Sequence, residues 1–379
     1  MLSAIASATP TTVVPLPGRL GKSKLRPLDT RPALSFKSKV LKRLHLFFYL
    51  SGLSSFYAWL RTQLKRESVA TVLMYHSIPT ASTAQWIDPC NRLNPDIFEA
   101  HMQFLAERCH VVSMSHLIQQ IERGESIRQG TVVITFDDGY LDNLTVAAPI
   151  LAKYSLPATI YLATEYIGAG RNQWVDTLYS AFVTRATDRL SLPELGIWRL
   201  IDETETRTAY QAIAHYLIEA TFPERQRLLA EIDNQLAPTA YPPRLTLNWE
   251  EAQQIQRQYP NITLGVHTAN HLDLRAHPEE TDHEMTLSIQ QFEQAMGYRP
   301  EHLAFPYNRH SLQVQKQVAA HLRSAVTVAP DPVVRSSTSP HALPRIEASE
   351  SITMLKSWLD GGFPHLSQRL LKRSWTCPY

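Results

Sequence analysis

The stretch that decides the fold is Thr131-Val132-Val133-Ile134-Thr135-Phe136-Asp137-Asp138-Gly139-Tyr140. Its first six residues are mostly β-branched or aromatic, which predicts a buried β-strand. The strand pattern ends in two adjacent carboxylates and a glycine. Because adjacent side chains on a strand point to opposite faces, Asp137 and Asp138 can share one site only where the chain leaves the strand. Gly139 permits such a turn, since glycine adopts a positive φ without steric cost.

Strand-like and helix-like segments alternate on both sides of this stretch. The predicted strands are 70–75, 111–114, 131–136, 158–162, 262–266, 302–305 and 324–328. The predicted helices are 96–108, 117–122, 141–153, 249–258, 281–296, 312–322 and 351–359. This alternation predicts an α/β fold with about seven parallel strands, arranged as a (β/α) barrel that is distorted or incompletely closed. A polar, helix-prone segment at about 168–246 interrupts the alternation and is interpreted as a helical insertion over one face.

Composition and charge limit the classes of partner. The chain has 379 residues, of which 44% are apolar and 19% charged, as in a globular protein. Residues 1–66 contain 12 Lys and Arg and a single acid, Asp29, which leaves 25 basic and 34 acidic residues in the remainder. A basic arm on an acidic body predicts an anionic partner for the arm, such as lipid headgroups. Nucleic acid is not expected as a partner, because the body is acidic and carries no nucleic-acid-binding motif.

The sequence divides into four segments. Residues 1–40 are predicted to be a disordered basic arm. Residues 41–68 are predicted to form a basic amphipathic helix, and an α/β domain at 69–362 precedes a tail at 363–379. The uncharged part of the helix, 44–60, is shorter than the ~20 residues that a membrane span needs. The helix either lies in the interface of an anionic membrane, through residues 41–66, or packs on the domain. The N-terminus lacks a secretory-signal pattern, so we expect a cytoplasmic, peripherally membrane-associated protein.

Polar side chains follow four of the predicted strands. The first strand ends at His76, the central one at Asp137 and Asp138, a later one at His267, and another leads into Phe305-Pro306-Tyr307. In a parallel barrel these strand ends face one mouth. In His267-Thr268-Ala269-Asn270-His271, two histidines four residues apart can bind one cation. Two histidines and one carboxylate would leave coordination positions open for water and substrate, as in catalytic metal sites.

These residues resemble the motifs of a known family. Asp137 and Asp138 within Thr135-Phe136-Asp137-Asp138-Gly139-Tyr140, together with His267-Thr268-x-x-His271, resemble the first two motifs of polysaccharide deacetylases (carbohydrate esterase family four, the NodB homology domain). Three further stretches are similar to the branch that includes poly-N-acetylglucosamine deacetylases: Met74-Tyr75-His76, Leu303-Ala304-Phe305-Pro306-Tyr307 and Leu343-Pro344-Arg345-Ile346. The resemblance covers roughly residues 70–348, interrupted by the insertion.

The resemblance implies a role for each matching residue. Asp138, His267 and His271 would hold a divalent metal; Zn²⁺ is the expected ion, with Co²⁺, Ni²⁺ and Mn²⁺ as alternatives. Asp137 would be the general base acting on metal-bound water, and His76 the general acid. Tyr307, which follows Pro306, would contribute its backbone N–H to the oxyanion.

Other residues carry two interpretations. The family's usual arginine in the third motif is absent, so Arg345 either orients Asp137 or forms a structural ion pair. Trp174, Asp176 and Trp249 either line the substrate groove or, as aromatic residues near an insertion more commonly do, serve packing. The family's customary glycine after Pro-Tyr is Asn308 here, and asparagine tolerates positive φ.

The resemblance therefore predicts a hydrolase. It would remove acetyl groups from N-acetylhexosamine units of a polysaccharide or lipid-linked glycan and release acetate. Two alternatives remain open from the sequence. The same site can serve carbohydrate O-deacetylation, or the domain can bind glycans without turnover.

Overall fold

The computed structural model describes residues 25–26, 28–31, 40, 43–44, 46–47, 49–53, 69–329, 333–348 and 350–359. Its strands are β1 (Ala70–Tyr75), β2 (His110–Val111), β3 (Thr131–Phe136), β4 (Ala158–Leu162), β5 (Arg189–Leu192), β6 (Gly196–Arg199), β7 (Ile262–Val266), β8 (His302–Ala304), β9 (Ser324–Val328), β10 (Val333–Val334) and β11 (Leu343–Glu347). The α-helices numbered here are α1 (Pro95–Arg108), α2 (Met114–Glu122), α3 (Ala148–Lys153), α4 (Thr164–Ala169), α5 (Trp174–Val183), α6 (Glu203–Glu219), α7 (Phe222–Leu236), α8 (Trp249–Gln258), α9 (Thr281–Met296), α10 (Leu312–His321) and α11 (Ile352–Leu359).

Seven parallel strands form a closed barrel. Their order is β1-β11-β9-β8-β7-β4-β3, and β3 pairs with β1 to complete the ring. Outside the ring, β2 pairs with β3 and β10 pairs antiparallel with β1. The predicted (β/α) barrel is confirmed, and its ring is closed rather than open. Because every ring strand is parallel, the carboxyl ends of all seven lie at one mouth.

Beside the barrel ring, one predicted strand is shorter than expected, and one strand of the ring was not predicted. The ring strand β11 was not predicted. Pro344 lacks a backbone N–H and cannot donate a hydrogen bond to a neighbouring strand, which argues against a central strand. The predicted strand 111–114 is wrong beyond Val111. There the chain leaves the sheet, and the Ser113 side chain accepts a hydrogen bond from the backbone N–H of His116 to cap α2.

The predicted helix at 141–153 is interrupted by a π-helical turn at Asn143–Ala147 before α3 begins. Pro149 lies in the first turn of α3, where its missing N–H leaves no hydrogen bond broken. The N-cap Asn248 and the C-terminal Gly297 (φ 77°) are confirmed at the ends of α8 and α9, respectively.

The predicted insertion is confirmed and has its own apolar core, formed by α5, α6, α7 and the hairpin β5–β6. The hairpin was not predicted. Only Leu190 and Leu192 of β5 are buried, in strict alternation with exposed residues. A pattern of four residues is too short to outweigh the helical propensity around it.

Part of the N-terminal arm packs on the insertion. Leu28 is buried against Tyr179, and Thr30 donates a hydrogen bond to the buried Asp88 at 2.5 Å. Arg26 forms an ion pair with Asp188. At these positions a leucine and a threonine have buried partners. The disordered arm at 1–40 stays a prediction. Residues 1–24 lie outside the described part of the chain.

The described residues between 40 and 53 are helical at most positions. Tyr49 lines a groove together with Phe104 of α1 and Ile352 of α11, so this segment contacts the domain. Exposed apolar side chains lie elsewhere on it: Val40, Leu44, Phe47, Leu50 and Leu53. Among the described residues, no helix combines the length and apolar character needed to cross a bilayer. Residues 54–68 and the tail at 363–379 lie outside the described part.

Candidate active site

The strand ends that carry polar residues converge on one cavity at the mouth of the barrel. It has a volume of about 500 Å³. Its lining includes seven candidate site residues named from the sequence: His76, Asp137, Asp138, Trp174, His267, His271 and Tyr307. Positions far apart in the chain are brought together here because β1, β3, β7 and β8 all run toward the same mouth.

The turn after β3 places the two carboxylates. Asp138 has φ 73° and Gly139 has φ 68°, so the chain leaves the strand in two left-handed steps. A Cβ at position 139 would lie 2.7 Å from Cδ2 of Leu162 and 2.9 Å from Cδ1 of Ile167. Glycine is therefore required at 139 both by conformation and by space. The turn lets Asp137 and Asp138 face the same cavity.

Asp138, His267 and His271 form a compact cluster. Oδ1 of Asp138 lies 3.5 Å from Nε2 of His267 and 3.2 Å from Nε2 of His271, and the two Nε2 atoms are 3.1 Å apart. In a tetrahedral site with bonds of ~2.1 Å, ligand atoms are separated by ~3.4 Å. The spacing of all three atoms therefore fits one small divalent cation.

Hydrogen bonding prepares His267 to bind a metal through Nε2. Its Nδ1 lies 2.7 Å from the carbonyl oxygen of Ala304, and because a carbonyl only accepts, Nδ1 carries the proton. Nε2 then presents its lone pair to the cluster, as in metal sites where the distal ring nitrogen is fixed by a backbone carbonyl. Burial lowers the pKa of His267 to about 4, which keeps the ring neutral near pH 7.

The carboxylate of Asp138 also fits a cation site. Its Oδ1 is buried, and no residue in the described part donates a hydrogen bond to it. Burial alone opposes ionisation, yet the rings of His271, His76 and His267 hold its pKa well below the usual value. A buried carboxylate oxygen without a donor, facing two imidazole nitrogens, is suited to a cation. The donor set of one carboxylate and two imidazoles fits Zn²⁺.

Asp137 is bound by Arg345. Both carboxylate oxygens accept hydrogen bonds from the guanidinium, each at 2.7 Å, and both side chains are buried. Arg345 also donates to Oγ1 of Thr135 at 3.2 Å. Burial opposes ionisation of Asp137, but Arg345 and His267 hold its pKa below the usual value. This contact is a buried ion pair that also fixes the carboxylate of Asp137, so both interpretations of Arg345 remain predictions.

Tyr307 adopts φ 55° and Asn308 φ 58°, so the chain makes two left-handed steps after Pro306. The Tyr307 hydroxyl accepts a hydrogen bond from Nε1 of Trp174 at 2.8 Å and donates one to the carbonyl of His271 at 3.1 Å. Trp174 is buried yet lines the cavity, whereas Pro306 is buried beside it. Non-glycine residues in this conformation cost roughly 1–3 kcal/mol each, so the surrounding structure must impose it.

The other candidates from the sequence lie away from the cavity lining. Asp176 is buried and accepts a hydrogen bond from the hydroxyl of Tyr140 at 2.8 Å. Trp249 packs edge-on against Phe292. For these two residues the packing interpretation matches the geometry.

Several lining residues were missed from the sequence: Asn91, Gln173, His215, Ile218, Arg309 and Glu347. Glu347 lies two residues after Arg345 on β11, and alternation along a strand would have placed both on one face had that strand been predicted. His215 and Ile218 come from α6, so the insertion forms part of the cavity wall. No local pattern in the sequence indicates which helix of an insertion reaches the site.

Comparison with known proteins gives a family match. The sequence profile of the polysaccharide deacetylase family matches residues 125–325. The match includes positions 137, 138, 267, 271 and 307 but neither His76 nor Arg345. A relative from Bacillus subtilis strain 168, named "Putative polysaccharide deacetylase YxkH", is 32% identical over 112 residues, which are 29% of this chain and 37% of the relative. The chain thus matches little more than a third of that relative's length.

Solved structures share the fold. The deacetylase PplD of Streptococcus pyogenes, solved in complex with acetate, has a TM-score of 0.52 at 18% identity, covering 77% of this chain and 99% of that one. IcaB from Ammonifex degensii has a TM-score of 0.50 at 13% identity, covering 81% and 98%. A de-N-acetylase from Aggregatibacter actinomycetemcomitans has a TM-score of 0.50 at 14% identity, covering 77% and 100%. At these identities the likeness concerns the fold alone.

Proposed function

Because this chain belongs to the polysaccharide deacetylase family, we propose that it is a metal-dependent hydrolase. It removes N-acetyl groups from N-acetylhexosamine units of a polysaccharide or a lipid-linked glycan and releases acetate. The observation that carries this proposal is the grouping of three ligand atoms, from Asp138, His267 and His271, within 4.8 Å of one another beside Asp137.

In this proposal, Asp138, His267 and His271 hold the ion, and Zn²⁺ is the expected one. A divalent cation bound there supplies Lewis-acid activation of water and of the acetyl carbonyl. The neutral Nε2 of His267 and the unpartnered Oδ1 of Asp138 support this assignment. Both atoms lie in a buried setting, where a ligand bond to a cation replaces the missing hydrogen bond.

Asp137 is the proposed general base. It takes a proton from the attacking water while the water oxygen bonds to the acetyl carbon. Arg345 grips both carboxylate oxygens, so it favours the ionised form and fixes the orientation of the carboxylate. Arg345 acts through Asp137 and is a positioning residue.

The remaining steps use other residues of the cavity lining. The backbone N–H of Tyr307 is proposed to donate to the developing oxyanion. As the C–N bond breaks, the amine of the sugar needs a proton, and His76 is the proposed donor. Its position in the cavity lining, directly after β1, supports this assignment. Trp174 holds the Tyr307 ring through its indole N–H and closes one side of the acetyl-binding region.

The test is acetate release by the purified full-length protein, loaded with Zn²⁺, from a panel of substrates. The panel contains N-acetylglucosamine oligomers, partially N-acetylated polyglucosamine and O-acetylated xylan. We expect release from an N-acetylated substrate. Release only from the O-acetylated xylan would replace the proposal by O-deacetylation, and no release from any substrate would leave a glycan-binding module.

Asp137→Asn removes the proposed base but keeps the shape of the side chain. We expect acetate release to fall by about 10²–10⁴-fold, because general-base catalysis contributes in this range. Binding of Zn²⁺, measured by titration, is expected to persist. Asp282→Asn, an exposed change on α9, is the matched control. Activity retained within a few-fold by Asp137→Asn would contradict the assignment of the base.

A further inference from the structure

The segment 267–271, here called the histidine loop, carries two of the three proposed ligands in a strained conformation. Thr268 has φ 62° and His271 has φ 51°, both in the left-handed region that non-glycine residues avoid. His271 lies at the end of the loop, four residues beyond the last strand anchor at His267. Without further contacts, a loop of this kind would not hold an imidazole to within a fraction of an ångström.

Glu284 of α9 binds the amide side of the loop. Its Oε2 accepts hydrogen bonds from the backbone N–H groups of Ala269 and Asn270, both at 2.9 Å. Its Oε1 accepts a third from Nδ2 of Asn270 at 2.7 Å. Glu284 is buried, with 2% of its surface exposed. Hydrogen bonds to an ionised carboxylate are among the stronger ones in proteins, so this contact fixes the middle of the loop.

Arg225 of α7 binds the carbonyl side of the same loop. Its Nη1 donates to the carbonyl oxygens of Asn270 and His271, at 3.2 and 3.1 Å. Its Nε donates to the carbonyl of Leu217 at 3.0 Å, and its guanidinium lies 5.3 Å from the ring centre of Trp174. The side chain is fully buried. Among the described residues no carboxylate lies within ion-pair distance of Arg225, so backbone carbonyls take its hydrogen bonds.

We infer that Glu284 and Arg225 are positioning residues for the metal ligand His271, holding the histidine loop from opposite sides. The inference rests on the proposed metal site. Glu284 accepts from the N–H groups of Ala269 and Asn270. Arg225 donates to the C=O groups of Asn270 and His271, so two opposite charges bind the two polar sides of this turn. Because Arg225 belongs to the insertion, the insertion contributes a positioning residue to the proposed metal site.

The geometry predicts that a near relative at either position weakens the contact with the loop. Glutamine at 284 keeps the shape but replaces one acceptor by an amide donor, so one hydrogen bond from the loop is lost or opposed. Lysine at 225 keeps the charge but has one nitrogen, which cannot donate to the loop carbonyls and also to Leu217, as Nη1 and Nε of the guanidinium do. In both cases the loop relaxes toward ordinary φ values and His271 moves relative to Asp138 and His267.

The test compares four variants of the full-length protein with the wild type. Glu284→Gln and Arg225→Lys alter the two contacts. Glu251→Gln and Arg185→Lys are matched controls. Glu251 also accepts a backbone N–H, from Asn248, and Arg185 is a buried arginine of the insertion that donates to the carbonyls of Phe182 and Leu200. The controls make the same kinds of bond away from the histidine loop.

Two readouts are independent of activity: the Kd for Zn²⁺, from competition with a chromophoric chelator, and the visible absorption spectrum with Co²⁺ bound. We expect Glu284→Gln and Arg225→Lys to weaken Zn²⁺ binding by about 10–100-fold, the usual effect of losing a partner of a metal ligand. Their Co²⁺ spectra should also change. The controls should keep the wild-type Kd and spectrum even if their melting temperatures fall.

Wild-type Kd values and Co²⁺ spectra in both loop variants would overturn the inference while leaving the proposed function standing. If the wild type itself binds neither ion, the proposed function fails first, which separates the two failures. Should Arg225→Lys not fold, Glu284→Gln alone decides, because it changes one atom of a side chain and introduces no change in volume.

Discussion

At the scale of single residues, two N–H groups of Arg345 hold both carboxylate oxygens of Asp137 at 2.7 Å. Lysine at 345 would keep the charge and lose the paired geometry. We expect Arg345→Lys to lower kcat by up to ~100-fold, since small misplacement of a catalytic group has effects of this size. The Kd for Zn²⁺ should not change, because Arg345 does not touch the three ligands. Acetate release and chelator competition measure the two quantities.

Arg323→Lys is the control for this substitution. Arg323 grips the two oxygens of Glu122 in the same paired manner, at 2.9 and 2.6 Å, but on the surface. Its replacement should leave kcat unchanged. Equal kcat in Arg345→Lys and the wild type would show that the pair with Asp137 is only structural.

His302 on β8 gives a prediction about pH. The ring is fully buried between the hydroxyls of Ser324 and Ser115, and burial lowers its pKa to about 4 from 6.5. Between pH 6.5 and pH 4 the imidazole of His302 is protonated in the unfolded chain but stays neutral in the folded protein. The unfolded state therefore binds more protons, and the stabilisation due to His302 is lost as pH falls toward 4.

We therefore expect the free energy of unfolding of the wild type, relative to His302→Gln, to shrink by about 2 kcal/mol between pH 7.5 and pH 5. Chemical denaturation at both pH values measures this difference. The exposed His283, replaced by Gln, should show no such change. A difference between wild type and His302→Gln that is the same at both pH values would contradict the neutral buried ring.

Sequence alone indicated the three proposed ligands but not the two residues proposed to position them. Asp138, His267 and His271 were predictable because each stands at or just after a strand end, where a barrel gathers polar groups. Glu284 and Arg225 were not, because they contact backbone atoms of the histidine loop and the side-chain amide of Asn270. Any carboxylate or guanidinium on a neighbouring helix would have looked the same in the sequence.

At the scale of elements, the segment at 40–53 is predicted to bind an anionic membrane. It contacts the domain through Tyr49, while Leu44, Phe47 and Leu50 are 47%, 62% and 70% exposed. Their spacing of three residues places them along one side of a helix. Exposed apolar side chains within a basic segment are typical of helices that lie on anionic membranes.

We expect the wild type to co-sediment at low salt with vesicles of phosphatidylcholine and phosphatidylglycerol, and not with phosphatidylcholine alone. The double variant Leu44→Glu, Leu50→Glu should remain in the supernatant. Ile197→Glu and Leu312→Glu, at positions 62% and 75% exposed elsewhere, serve as controls and should sediment as the wild type does. Equal sedimentation of the double variant and the wild type would favour a helix that only packs on the domain.

Element boundaries were predictable where caps and periodicity agreed, as for α8 with Asn248 and α9 with Gly297. They were not where a single residue argued against the element. Because Pro344 argues against a strand, β11 was not predicted. Without that strand, nothing in the sequence indicated that Arg345 and Glu347 lie on the same face of the sheet. The prediction of seven strands was right in number, but it counted 111–114 in place of β11.

At the scale of the whole molecule, the closed ring explains why one site gathers residues from positions 76 to 347. Seven parallel strands deliver their carboxyl ends to one mouth, and the insertion packs against that mouth through α6 and α7. Barrel, insertion and histidine loop are thus joined at the cavity. The account depends on one ion being held where these parts meet.

The most direct test is the anomalous difference density of a crystal grown with Zn²⁺, recorded on both sides of the zinc absorption edge. The account predicts one peak at ~2.0–2.2 Å from an oxygen of Asp138 and from Nε2 of His267 and His271, with Asp137 outside the bonding distance. A crystal that contains zinc but shows its peak elsewhere, or none between these three side chains, would contradict the central claim.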